Sequence, residues 1–106
     1  GMKNAEGADM SNAGKLTVNG SFTNDGSIEN TGEITSDNPL TAEFTNNSTI
    51  NNFDGSVDVP VNNDDGAVIG GKMGENGKIT GGTAVGVYGE AAARKRQAGG
   101  VAPQAA

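Results

Sequence analysis

From Gly14 the apolar side chains fall on every second residue: Leu16, Val18 and Phe22, with Ile28 and Ile34 in the same parity. Successive side chains of a strand point to opposite faces, so this alternation predicts short strands with one apolar face. Gly20, Asn24, Gly26, Asn30 and Gly32 share the inward parity between them. A flat sandwich core would place apolar residues there, whereas a chain that turns a corner every few residues needs Gly or Asn at its bends.

The pattern also repeats. Gly-x-apolar-Thr/Asp recurs as Gly14-Lys15-Leu16-Thr17, Gly32-Glu33-Ile34-Thr35, Gly55-Ser56-Val57-Asp58 and Gly77-Lys78-Ile79-Thr80. The run from Phe22 to Asn30 (FTNDGSIEN) aligns with that from Phe44 to Asn52 (FTNNSTINN), and Val61 to Val68 is a degraded third copy. Fixed periods of a few tens of residues mark repeat architectures, and the Gly, Asn and β-branched content excludes helical ones. The expected fold is all-β, a short parallel β-helix (β-solenoid) of about 3 coils of about 22 residues each. In it Phe22 stacks on Phe44 and Ile28 on Ile50. Asn24 stacks on Asn46 as a hydrogen-bonded amide ladder. An antiparallel β-sandwich is the alternative, favoured by Asn19-Gly20 and Asn76-Gly77, pairs suited to type I′ hairpin turns.

Three segments follow. Residues 1–13 lack periodicity and read as a flexible lead, with Gly1 a residue left by tag removal before Met2. Residues 14–88 form the solenoid. Residues 89–106 shift abruptly to Ala, Gly and Arg/Lys and read as a disordered tail or a weak helical cap. So few coils leave open strand edges at both ends, which predicts self-association, neighbouring coils or an end-cap.

Composition narrows the chemistry. The 106 residues carry a net charge of −6, and from Gly14 to Val85 ten acids face three lysines. Such a surface argues against nucleic acid, whose phosphates need concentrated positive charge. No apolar run approaches the length of a membrane span. With no His or Cys, neither a Ser/His/Asp nor a Cys/His nucleophile system exists, nor a thiolate or imidazole metal site. Glu29, Glu33, Asp37 and Glu43 alternate along the chain like a solvated face, and no catalytic residue is assigned.

Of the remaining candidates, the oxygen-rich loop of Asn63, Asp64 and Asp65 is the one calcium candidate, although it matches neither an EF-hand nor a glycine-rich calcium nonapeptide. Gly70-Gly71-Lys72-Met73-Gly74 lacks the spacing of a phosphate-binding loop. No cofactor is expected.

The run Gly20-Ser21-Phe22-Thr23-Asn24-Asp25-Gly26-Ser27-Ile28-Glu29-Asn30-Thr31-Gly32-Glu33-Ile34 and the later Gly81-Gly82-Thr83-Ala84-Val85 resemble the repeats of bacterial surface adhesins. These are the filamentous-haemagglutinin-like proteins and autotransporter passengers, and the resemblance covers about two-thirds of the chain. It implies a right-handed parallel β-helix at the cell surface or outside the cell, serving as stalk or adhesive surface toward a host glycan or protein. The expectation is thus a non-enzymatic structural or adhesive module of a bacterial or phage surface protein. A small carbohydrate- or calcium-binding β domain is the alternative.

Overall fold

The structure, a computed structural model, describes residues 1–89. Twelve short strands follow one another: β1 (Met2–Asn4), β2 (Asp9–Asn12), β3 (Lys15–Thr17), β4 (Ser21–Asn24), β5 (Ser27–Asn30), β6 (Glu33–Thr35), β7 (Glu43–Asn46), β8 (Thr49–Asp58), β9 (Val61–Asn63), β10 (Val68–Met73), β11 (Ile79–Thr80) and β12 (Thr83–Gly89). Every strand pairing among them is parallel. Parallel neighbours cannot be joined by tight hairpins, so each connection is a coil that climbs to the next level. The molecule is a β-solenoid, and the sandwich alternative is excluded. Neither Gly20 nor Gly77 has the positive φ that a type I′ turn would require.

One face is a five-stranded sheet in the order β1-β4-β7-β9-β11, which sets the number of coils at five. The second face runs β2-β5-β8-β10-β12, and the third begins with β3 and β6. The long strands β8 and β10 bend across both. Their first halves pair on the second face, and their second halves, with Ser56-Val57 and Lys72-Met73, continue the third.

Three inward columns fill the interior. Met2, Phe22, Phe44, Val61 and Ile79 form the first. Met10, Ile28, Ile50, Ile69 and Ala84 form the second, and Leu16, Ile34, Val57 and Met73 the third. Ile28, Ile34, Phe44, Val57 and Ile69 are fully buried, and each contributes roughly 1.5–3 kcal/mol through removal of its side chain from water. The Phe22 and Phe44 rings meet edge to face, with centroids 5.4 Å apart and planes at 68°, the arrangement the ring quadrupoles favour.

Three sequence expectations change. The lead is no lead: β1 and β2 lie within residues 1–13 and pair with β4 and β5, Met2 opposite Phe22 and Met10 opposite Ile28. Strands this short carry one inward apolar side chain and one Asn each, too little to show a period. The coil count rises accordingly from about three to five, and the sequence step between levels shortens in the later coils. Finally, Gly77-Lys78-Ile79-Thr80 is not the third-face motif, since Ile79 pairs with Val61 on the first face while Lys72-Met73 take the third-face position beside Ser56-Val57. The tail expected from residue 89 lies outside the described residues, apart from Gly89, which closes β12.

Candidate functional site

Two ladders of carboxamides run through the solenoid at its corners. Asn4 Nδ2 donates to Asn24 Oδ1 at 2.9 Å, Asn24 Nδ2 to Asn46 Oδ1 at 2.9 Å, and Asn46 Nδ2 to Asn63 Oδ1 at 2.7 Å. The second ladder joins Asn12 to Asn30 at 2.9 Å and Asn30 to Asn52 at 2.7 Å. Each Nδ2 also reaches a backbone carbonyl one coil further on: Asn24 that of Thr49, Asn46 that of Val68, Asn63 that of Thr83 and Asn30 that of Ser56. An amide carries two donors and an acceptor, so one side chain satisfies the corner backbone and its stacked neighbour together. Among the described residues no buried side-chain polar atom is left without a partner. The expected stacks of Phe22 on Phe44, Ile28 on Ile50 and Asn24 on Asn46 are all in register. The second ladder lies beyond the sequence expectation, although Asn30 and Asn52 align at the same offset as Asn24 and Asn46.

The calcium candidate does not come together. Asn63 is a ladder member, 4% exposed, with Oδ1 accepting from Asn46 and Nδ2 donating to Ala67 O and Thr83 O. Asp64 and Asp65 are exposed on the outside of the corner, where Ala67 N closes a turn onto Asp64 O at 2.9 Å and Gly66 takes φ 85°. One corner residue thus points in and the next two point out. The four acids Glu29, Glu33, Asp37 and Glu43 are likewise exposed, and no group of three or more His, Cys, Asp or Glu among the described residues is placed to hold a metal ion.

The glycine-rich run serves the backbone rather than an anion. Gly71 has φ 107°, and a Cβ there would collide with Asn52 O, so only Gly fits where β10 crosses β8. Gly70 sits below the Phe53 ring, and a Cβ on it would stand 2.7 Å from Phe53 Cζ and from Val85 O.

That ring marks an apolar recess on the outer sheet surface. Phe53 is 50% exposed and Val85 42%, and with Thr49, Asn51, Val68 and Gly70 they line a groove of about 210 Å³ on the second face. Nothing in the alternation singles out Phe53, yet the sequence holds a signal. The interval from Gly32 to Gly55 is longer by one position than that from Asn30 to Asn52. Coil 3 therefore holds an extra residue between Asn52 and Gly55, and the added length lifts Phe53-Asp54 outside the stack, where both are exposed.

At the corner between the first and second faces, Asp25 Oδ1 accepts from Asn47 Nδ2 at 2.8 Å and Oδ2 pairs with Lys3 Nζ at 3.0 Å. The Asn47 hydrogen bond, and after it Lys3, hold the Asp25 carboxyl below the usual carboxylate range. This pairing links coils 1, 2 and 3 from outside, as the ladders do from inside.

No helix among the described residues is long and apolar enough to cross a membrane. In comparison with known proteins, the chain matches no family model, no curated protein and no solved structure.

Proposed function

We propose that the chain is a non-enzymatic structural or adhesive β-solenoid module of a bacterial or phage surface or extracellular protein. The observation that supports this reading is the assignment of the polar interior: the inward carboxamides are spent on coil-to-coil hydrogen bonds. A rod that holds itself by repeated identical contacts displays rows of side chains at fixed spacing, which suits a spacer or a contact surface. The proposal requires no cofactor. Its test is a panel of glycoside, ester and phosphoester substrates together with binding of the labelled protein to intact host cells. Cell binding without turnover is the expected result, and turnover that survives repurification would sink the proposal.

A second reading, a small carbohydrate-binding β domain, is favoured by the Phe53 groove. A half-exposed aromatic ring beside Asn51 and Thr49 offers an apolar face for sugar C–H groups and polar groups for hydroxyls. Glycan-array binding abolished by Phe53→Ala supports this reading, and binding unchanged in that variant dismisses it. Calorimetric titration with Ca²⁺ is expected to show no saturable heat, given that Asn63 is committed to the ladder.

A further inference from the structure

The two ends of the solenoid differ in chemistry. Among the described residues no donor reaches Asn4 Oδ1 or Asn12 Oδ1, whereas the oxygens above them each accept from the coil before: Asn24 from Asn4, Asn46 from Asn24, Asn30 from Asn12 and Asn52 from Asn30. At the far ends the ladders close on backbone, Asn63 Nδ2 on Thr83 O and Asn52 Nδ2 on Lys72 O. The ladders are thus polarised, with unmatched acceptors on the coil 1 face. The apolar columns are asymmetric in the same sense. Met2 is 49% exposed and Met10 and Leu16 are only partly buried, while Ile79 and Ala84 at the other end are 3% and 1% exposed. β1, β2 and β3 pair on one side only, as do β11 and β12 at the other end. A groove of about 400 Å³, lined by Gly1, Met2, Thr17 to Gly20 and Ser21, opens beside Met2.

We propose that the coil 1 face receives one further parallel β-solenoid coil, whose inward strands read apolar-x-Asn at both ladder positions. Such a coil continues the interface that joins coil 1 to coil 2. Its apolar side chains cover Met2 and Met10, its backbone pairs with the free edges of β1 to β3, and its two carboxamide nitrogens donate to Asn4 Oδ1 and Asn12 Oδ1. A second copy of this chain does not fit. Two coil 1 faces would oppose acceptor to acceptor. The other end presents Gly81, next in register after Thr80 beside Asn62, and Gly86, next after Val85 beside Gly70, neither of which has a side-chain amide to give. The proposal rests on the solenoid fold and not on the adhesive reading, and its failure leaves that reading untouched.

The test joins a copy of one coil, residues 21–35, to Gly1 of the full chain through a flexible Gly/Ser linker, which supplies the further coil at high effective concentration. Amide hydrogen exchange in β1, β2 and β3 is expected to slow at least tenfold, with β11 and β12 unchanged. Replacing both asparagines of the appended coil, N24A and N30A, is expected to abolish that protection. Protection that persists in the Ala version, protection absent from β1 to β3, or dimerisation of the unmodified chain through this face in sedimentation each overturns the proposal.

Discussion

Asn24 Nδ2 hydrogen-bonds Asn46 Oδ1 at 2.9 Å, and both side chains are completely buried. The next rung, from Asn46 to Asn63, is 2.7 Å long. Removing a middle rung strands a donor below and an acceptor above, and each orphaned buried group costs about 1–3 kcal/mol. Asn46→Ala is therefore expected to lower stability by roughly 2–6 kcal/mol from these two ladder orphans. Asn47→Ala, one position on and exposed, is expected to cost under about 1 kcal/mol. Urea unfolding midpoints of the two variants check the contrast.

The Phe22–Phe44 contact belongs to the interior rather than to a binding surface. Phe44→Ala opens a cavity in the first column and is expected to cost about 3–5 kcal/mol, with Phe44→Leu well below that. Thermal unfolding followed by circular dichroism separates them.

Glycines divide by position rather than by sequence. Gly71 combines φ 107° with a backbone oxygen where a Cβ would sit, while Gly20 has open space and no positive φ. Gly71→Ala is expected to lose at least about 2 kcal/mol. Gly20→Ala is expected to change stability by less than about 1 kcal/mol, in the stabilising direction. Denaturant midpoints compared with unchanged m-values read this out.

Acid sensitivity should carry a signature of Asp25. Its carboxyl is depressed in the folded state, chiefly by Asn47 and then by Lys3, from an ordinary value of 3.8. A depressed acid adds stability that is present above the unfolded value and disappears as pH falls through the folded one. The stability difference between the native chain and Asp25→Asn is thus expected to be constant at neutral pH and to shrink below about pH 3.8. Unfolding midpoints measured across the acid range test it, and a difference that grows on acidification would refute it.

Phe53 should behave oppositely to Phe44. Its ring is half exposed, so Phe53→Ala is expected to cost no more than about 1–2 kcal/mol. Gly70→Ala, which forces the ring and Val85 O apart, is expected to destabilise more than removal of the ring itself. Calorimetric unfolding of both variants ranks them.

How far the architecture is legible depends on how faithfully a coil repeats. The Phe-Thr-Asn strands at Phe22 and Phe44 are near copies, and their common offset places Phe on Phe, Ile on Ile and Asn on Asn. Alternation assigned the inward face, and the missing His and Cys removed whole classes of chemistry. These are local properties, written in residue type and spacing. Register in the outer coils is not local. Val61 follows Phe44, and Ile79 follows Val61, at a shorter step than the one from Phe22 to Phe44. The corners between them have shortened, and only packing of the three columns shows which apolar residue takes each level. The same holds for Met2 and Met10, whose strands are too short to declare themselves, and for Gly77-Lys78-Ile79-Thr80, whose motif fits two faces equally. The split of Asn63 from Asp64 and Asp65, and the lifting of Phe53 out of the stack, depend on which side of a corner each residue falls. Sequence determined a stacked β architecture with an amide ladder. Tertiary structure decided the number of coils and the polarity of the ladders, since a hydrogen bond between coils exists only once their register is fixed.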